Sequence, residues 1–172
     1  MRGTSTALFR VKDVLPRAYV VGSTEVIAGD TAIARLLAPE FDARTTAILE
    51  EPVPAGVDVQ PGATGSVRWV ERQVDELLLQ VTADRPGLLM LLDNYYPAWQ
   101  ATVDDIAVPI LRANYTFRAV PIPAGEHMVR FRYRPASVRT GAVISLATLA
   151  LLLAVTMAGA WRERRVRTPA VA

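Results

Sequence analysis

The sequence predicts a mainly β protein: an antiparallel β-sandwich or jelly-roll-like domain with a small N-terminal α/β element and one C-terminal transmembrane helix. Three observations carry this. From Ser66 to Tyr133 apolar residues recur at every second position in short runs, the period of strands with one buried face. Gly and Pro punctuate those runs at the spacing of sandwich strands rather than of alternating strands and helices. Gly141 to Trp161 is then a run of 21 residues without a charge, and a helix of that length spans roughly 30 Å, the thickness of a bilayer's hydrocarbon core.

Taken in order, residues 1–13 are polar and expected to be flexible. Residues 14–52 form the small α/β element. Leu15–Val21 reads as a strand with Pro16 at its start, where a missing N–H is tolerated. Asp30 is placed to cap a short helix whose Ile33, Leu36 and Leu37 share a face, and Pro39 stops it. Thr45–Glu50 reads as a second strand. Residues 53–65, rich in Pro and Gly, are expected to be a linker loop.

The β-sandwich is assigned to 66–137. Val67 and Trp69 alternate with Arg68, and Leu77, Leu79 and Val81 with Gln80 and Thr82. Leu88–Leu92 is continuously apolar, as a central strand covered on both faces should be. Trp99, Ala101 and Val103 alternate with Gln100 and Thr102. Pro109, after Ile106 and Val108, suggests an edge. Tyr115, Phe117 and Ala119 alternate with Thr116 and Arg118. Val129, Phe131 and Tyr133 alternate with Arg130, Arg132 and Arg134, an apolar face backed by a guanidinium row. The turn at Pro123-Ala124-Gly125-Glu126 predicts a hairpin joining this strand to the one over Tyr115–Ile122. The transmembrane helix is placed at 141–161 and a basic tail at 162–172.

The formal net charge is +2, but the tail after Trp161 carries +3 of it, leaving the preceding chain near −1. The basic character belongs to the tail and suits anionic lipid head groups; no nucleic-acid partner is expected. The chain has no Cys and one His, which argues against thiol chemistry and a histidine metal site; no metal and no cofactor is expected. Asp104-Asp105 could hold a divalent ion or form a hairpin turn. Gly62-Ala63-Thr64-Gly65 lacks the Lys of a phosphate loop. Asn114-Tyr115-Thr116 matches the N-glycosylation pattern. His127 stands beside a turn, and every Ser/His/Asp set would have to pass through it. No catalytic residue is assigned.

Two features can carry function. Asp93-Asn94-Tyr95-Tyr96-Pro97-Ala98-Trp99 sets acids, amides and rings in one bend. Rings stack on apolar sugar faces while polar groups meet hydroxyls, so Asp93, Tyr95, Tyr96 and Trp99 are candidate glycan contacts; the alternative is a structural corner. In the apolar helix, Ala150, Ala154 and Ala158 recur at every fourth position, a shallow face suited to close packing against another helix.

Several short motifs in order and spacing resemble the C-terminal part of the YfhO-like family of bacterial multi-pass membrane proteins. They are Leu15-Pro16-Arg17-Ala18-Tyr19, Pro86-Gly87-Leu88-Leu89, Asp93 through Trp99, Arg112-Ala113-Asn114, Arg118 through His127, and Phe131-Arg132-Tyr133-Arg134-Pro135. Asp104-Asp105 departs from the family's usual Asp-Gly turn.

The resemblance implies a GT-C-like membrane glycosyltransferase that transfers sugars from lipid-linked donors to cell-envelope polymers such as teichoic acids. Its β-rich domain would be extracytoplasmic, and its catalytic acid would stand in an early loop that has no counterpart here. This chain then resembles a non-catalytic accessory domain plus the last membrane helix. It would lie in the bacterial cytoplasmic membrane with the β-domain outside and the C-terminus cytoplasmic; the Arg residues on the two sides of the helix balance, and the opposite orientation would be a tail-anchored protein with a cytosolic sandwich. The start of the chain carries no secretory signal pattern, so a fragment, or a subunit joining other transmembrane helices, is expected. Membrane lipid and an envelope glycan are the other expected partners. The alternative is a structural subunit without a glycan ligand.

Overall fold

The computed structural model describes residues 12–166. The elements are β1 (Ala18–Val21), β2 (Ser23–Val26), α1 (Thr31–Leu36), β3 (Thr46–Leu49), β4 (Gly65–Arg72), β5 (Glu76–Ala83), β6 (Gly87–Asn94), β7 (Trp99–Val103), β8 (Ile106–Val108), β9 (Leu111–Ala113), β10 (Phe117–Ile122), β11 (Gly125–Tyr133) and α2 (Ala136–Val166). The strands form two sheets, in the orders β1-β6-β10-β9-β3-β2 and β4-β5-β11-β7-β8. All pairings are antiparallel except β2 with β3, which are joined through α1, as a parallel pair requires a crossover. The fold class is therefore the expected one, mainly β with a single long C-terminal helix.

The first sheet is not flat. Its two end strands, β1 and β2, are separated in the chain by Gly22 alone, so the sheet curls round and one bent segment, 18–26, serves both margins. Gly22 is the residue that permits this. A Cβ there would lie 2.2 Å from the Ala63 nitrogen and 2.4 Å from the Gln60 oxygen. The inner face of the curl buries Tyr19, Val21, Ala47, Leu49, Leu88, Met90, Ala113 and Ala119, with Val53 and Val59 packed against them. Burial pushes the Tyr19 phenol up to about 12. The outer face offers Ala18, Val20, Leu89, Leu91, Val120 and Ile122 to the inward residues of the second sheet, Leu77, Leu79, Val81, Ala101, Val103, Val129 and Phe131. Strand β6 is covered on both faces, as its unbroken apolar run requires.

Several local expectations give way to this arrangement. Residues 14–52 supply three strands to the first sheet rather than standing beside the sandwich. Residues 53–65 lie along the body: the Gln60 N–H donates to the Pro86 carbonyl (2.9 Å) and Ala63 is buried. Helix α1 buries Ala32, while Ile33 and Leu37 are exposed and Asp30 makes no side-chain cap bond; the helix is held instead by Arg35, whose Nε bonds Glu25 at 2.7 Å. The turn before β11 makes no hairpin. Strand β10 pairs in the first sheet and β11 in the second, so the turn bridges the sheets. Of the expected flexible N-terminus only Lys12 and Asp13 fall among the described residues, and the basic tail is described only as far as Val166.

From Arg134 onward the chain forms a second compact unit. Helix α2 begins five residues before the expected 141 and continues past Trp161. Residues 136–162 are long and apolar enough to cross a membrane. The hydroxyls of Thr140, Thr148 and Thr156 donate to the carbonyls of Ala136, Ile144 and Leu152, four residues back, at 3.1, 2.9 and 3.0 Å. These three hydroxyls are thus satisfied within the helix, as hydrocarbon surroundings demand.

Candidate functional site

Strand β6 ends in the first sheet and β7 begins in the second, so Tyr95–Ala98 is a crossing between sheets. It is pinned by the Tyr95 N–H to the Thr116 carbonyl (2.6 Å) and closed by the Trp99 N–H to the Tyr96 carbonyl (3.1 Å). The registers Trp99↔Tyr133 and Phe117↔Asn94 place the ends of β7, β11, β6 and β10 together. The rings of Trp99 and Tyr133 are 5.4 Å apart and those of Tyr96 and Tyr133 6.2 Å apart, both tilted, the geometry favoured by ring quadrupoles.

Beneath them lies Arg118. It shares the inward face of β10 with Val120 and Ile122, and its side chain is 2% exposed. Its guanidinium stands 4.2 Å from the Trp99 ring centroid and 5.5 Å from that of Phe131. Nη2 donates to Asp93 Oδ2 at 3.1 Å, while Nε and Nη1 are buried without a partner. The same carboxylate receives Arg17 Nε at 2.8 Å and Nη2 at 2.9 Å. Burial pulls the Arg118 guanidinium below its ordinary value, opposed by the Asp93 charge and aided by that of Arg17. Arg17 is raised, chiefly by its hydrogen bonds to Asp93.

The four candidate glycan residues therefore separate. Asp93 is occupied by two guanidinium groups. Trp99 is half-buried, and Arg118 stacks on its ring. Tyr96 is exposed, and Tyr95 lines a cleft. That cleft, about 500 Å3, is formed by Tyr95, Trp99, Gln100, Ala101, Thr102, Ala107, Val108 and Ile110. Tyr95 and Ile110 also border a smaller hollow of about 170 Å3 with Glu50, Glu51, Leu111 and Arg112. Arg112 Nη1 pairs with Glu50 at 3.1 Å. The Thr102 hydroxyl is buried without a partner. A ring and an amide around a cleft of ligand size, with carboxylates in the adjoining hollow, suit a polyhydroxylated ligand.

Gln100, Thr102, Ile110, Arg112, Glu50 and Glu51 were not singled out from the sequence. The acids come from the far side of the Pro/Gly-rich stretch, and only the curl of the first sheet brings them beside Tyr95. Arg118 was assigned to the polar face of its strand. The apolar Val120 and Ile122, on the same parity, were the signal for the opposite assignment.

Asp104 and Asp105 occupy the β7–β8 turn with positive φ of 50° and 64°, the left-handed pair of a tight hairpin. Asp104 accepts the Met128 N–H (2.8 Å) and faces His127 Nδ1 at 2.6 Å; His127 Nε2 faces the Ala124 carbonyl at 3.1 Å. Asn114 is buried, and its Oδ1 accepts the Ile48 N–H at 2.8 Å, so the glycosylation-like pattern has a structural use. Arg130 and Arg132, expected as a free row, both pair with Glu76. Ala150, Ala154 and Ala158 are exposed on α2.

A two-sheet β domain followed by a helix long and apolar enough to span a bilayer defines a membrane-associated protein. Residues 68–145, from β4 into α2, match the family model described as bacterial membrane protein YfhO, so that stretch is similar to the YfhO-like family and supports a membrane association. Comparisons with the curated proteins and with the solved structures give no match.

Proposed function

We propose that this chain is a non-catalytic, extracytoplasmic accessory domain, joined to a membrane helix, that holds an envelope glycan for a glycosylation reaction performed elsewhere. The observation that carries the reading is the Tyr95 cleft: ring surface, the amide of Gln100 and the Glu50–Arg112 pair at its border. Tyr96 stands exposed beside it as a rim ring. The cleft offers recognition without a paired acid and base. The YfhO-like resemblance supplies the glycosylation setting, and the Arg-rich tail favours a cytoplasmic C-terminus.

The test is retention of the full chain, in detergent, on immobilised envelope glycan. Wild type is retained; Tyr95→Ala and Tyr96→Ala lose retention with unchanged unfolding midpoints. Undiminished retention by Tyr95→Ala would exclude the cleft. Orientation is tested separately: in intact cells, an impermeant maleimide should label Ala124→Cys.

A further inference from the structure

At one end of the β domain, exposed apolar side chains, aromatic rings and arginines come together. The strand registers collect there the start of β1, the β4–β5 turn, the β6–β7 crossing and the end of β11. Ala18 pairs with Leu91, Arg72 with Leu77, and Tyr133 with Trp99, and the Tyr133 N–H donates to the Asp75 carbonyl at 2.8 Å. Val74, at the tip of the β4–β5 turn, is 98% exposed and Tyr96 is 60% exposed. No internal packing explains an apolar turn tip held in water. Behind them lie the tilted Trp99–Tyr133–Tyr96 rings. Trp69 carries Arg17 at 5.0 Å and Arg72 at 5.6 Å. The carboxylates near this end include Glu71, Asp75, Glu76 and Asp93, with Glu50 and Glu51 beside Tyr95; Glu76, Asp93 and Glu50 pair with arginines. Only Arg134 and Pro135 stand between Tyr133 and α2, so the chain leaves the domain from this end for its membrane-length helix.

We infer that this end is a membrane-contact surface: Val74 and Tyr96 enter the interfacial layer of the bilayer, with Arg17 and Arg72 at head-group level. Exposed apolar residues beside amphipathic rings and cations are what that layer accommodates. The opposite end, with the turns at Arg85 and Ala124, faces water. Tyr96 is shared with the glycan reading, whereas Val74 at the turn tip lies outside the cleft, so the Val74 label tests membrane contact by itself.

The chain has no cysteine, so single labels can be placed cleanly. The full chain is reconstituted into phosphatidylcholine vesicles, with and without phosphatidylglycerol. Val74→Cys, Tyr96→Cys, Arg85→Cys and Ala124→Cys each carry an environment-sensitive fluorophore, and lipids bearing a nitroxide near the head group act as quencher. Labels at 74 and 96 should be quenched about twofold or more above those at 85 and 124, because the interfacial layer is only ~5–10 Å deep. Equal quenching at all four positions, with the near-ultraviolet circular dichroism of the folded domain retained, would overturn the inference. So would stronger quenching at 85 and 124.

Discussion

Replacing Asp93 should unfold the protein rather than simply remove a ligand contact. Its carboxylate is the shared acceptor of Arg17 and Arg118. The Arg17 side chain is 47% exposed, so that pair contributes at most about 1 kcal/mol. Arg118 is different. At 2% side-chain exposure, with two nitrogens already unpartnered, it would be left as a buried cation without its counter-charge. Breaking a buried pair by removing one member costs roughly 3–5 kcal/mol. Asp93 is itself 19% exposed and water can reach the vacated space, so the low end, about 3 kcal/mol, is expected for Asp93→Ala. With an m-value of about 2 kcal/mol/M in urea, the midpoint falls by about 1.5 M. Arg118→Met removes the charge along with the need for its partner and should lie within about 1 kcal/mol of wild type. Adding Asp93→Ala to Arg118→Met should then cost far less than Asp93→Ala alone. The assay is urea unfolding of the full chain in detergent, followed by tryptophan fluorescence. An Asp93→Ala protein as stable as wild type, yet unable to bind glycan, would refute the argument and restore Asp93 as a ligand contact.

Three further outcomes follow from the same geometry. His127 is raised above its ordinary 6.5: burial alone would lower it, but the hydrogen bonds to Asp104 and to the Ala124 carbonyl outweigh that. Asp104 is lowered below 3.8, chiefly by its bond to His127. The His127 contribution is therefore complete below 6.5 and lost as pH rises through its folded value, whereas that of Asp104 is present above 3.8 and lost as pH falls through its own. The melting temperature of wild type relative to His127→Gln should accordingly be highest between those limits and converge at alkaline pH; a pH-independent difference would contradict the assignment. Gly22→Ala drives a methyl into the Gln60 and Ala63 backbones and should destabilise by about 3 kcal/mol or more in the same urea assay. If Ala150, Ala154 and Ala158 form a helix-packing face, changing them to Leu should dissociate any detergent-stable complex with other membrane segments, read by size-exclusion chromatography with light scattering; an unchanged profile removes that role.

The period-two runs identified most strands of the second sheet, because one-sided burial writes alternation directly into the sequence, and the unbroken apolar run identified β6, which is buried on both faces. The helix was equally legible, since an uncharged run of that length has the length and composition of a membrane span. The pairing of strands was not. The Ala124 turn looks like a hairpin locally, yet β10 and β11 belong to different sheets, and alternation is silent about partners. Strand β2, Ser23–Val26, lacks an apolar period because it is a margin whose burial comes from the curl at Gly22. The candidate corner was found through its rings, and Tyr95 and Tyr96 stand where a ligand can meet them. The ion pairs of Asp93 were not legible because its partners, Arg17 and Arg118, lie 76 and 25 residues away. An acid in a bend reads as free until the fold brings its cations to it.

The central claim is that the cleft beside Tyr95 holds a glycan, and Trp99 is a built-in reporter at its wall. With Trp69 and Trp161 replaced by Phe, the remaining fluorescence comes from Trp99 alone. Titrating this full-length variant in detergent with soluble envelope-glycan oligosaccharides should give a saturable change in Trp99 emission that disappears in Tyr95→Ala. A flat titration with the fold intact, or one that Tyr95→Ala leaves unaltered, would contradict the claim.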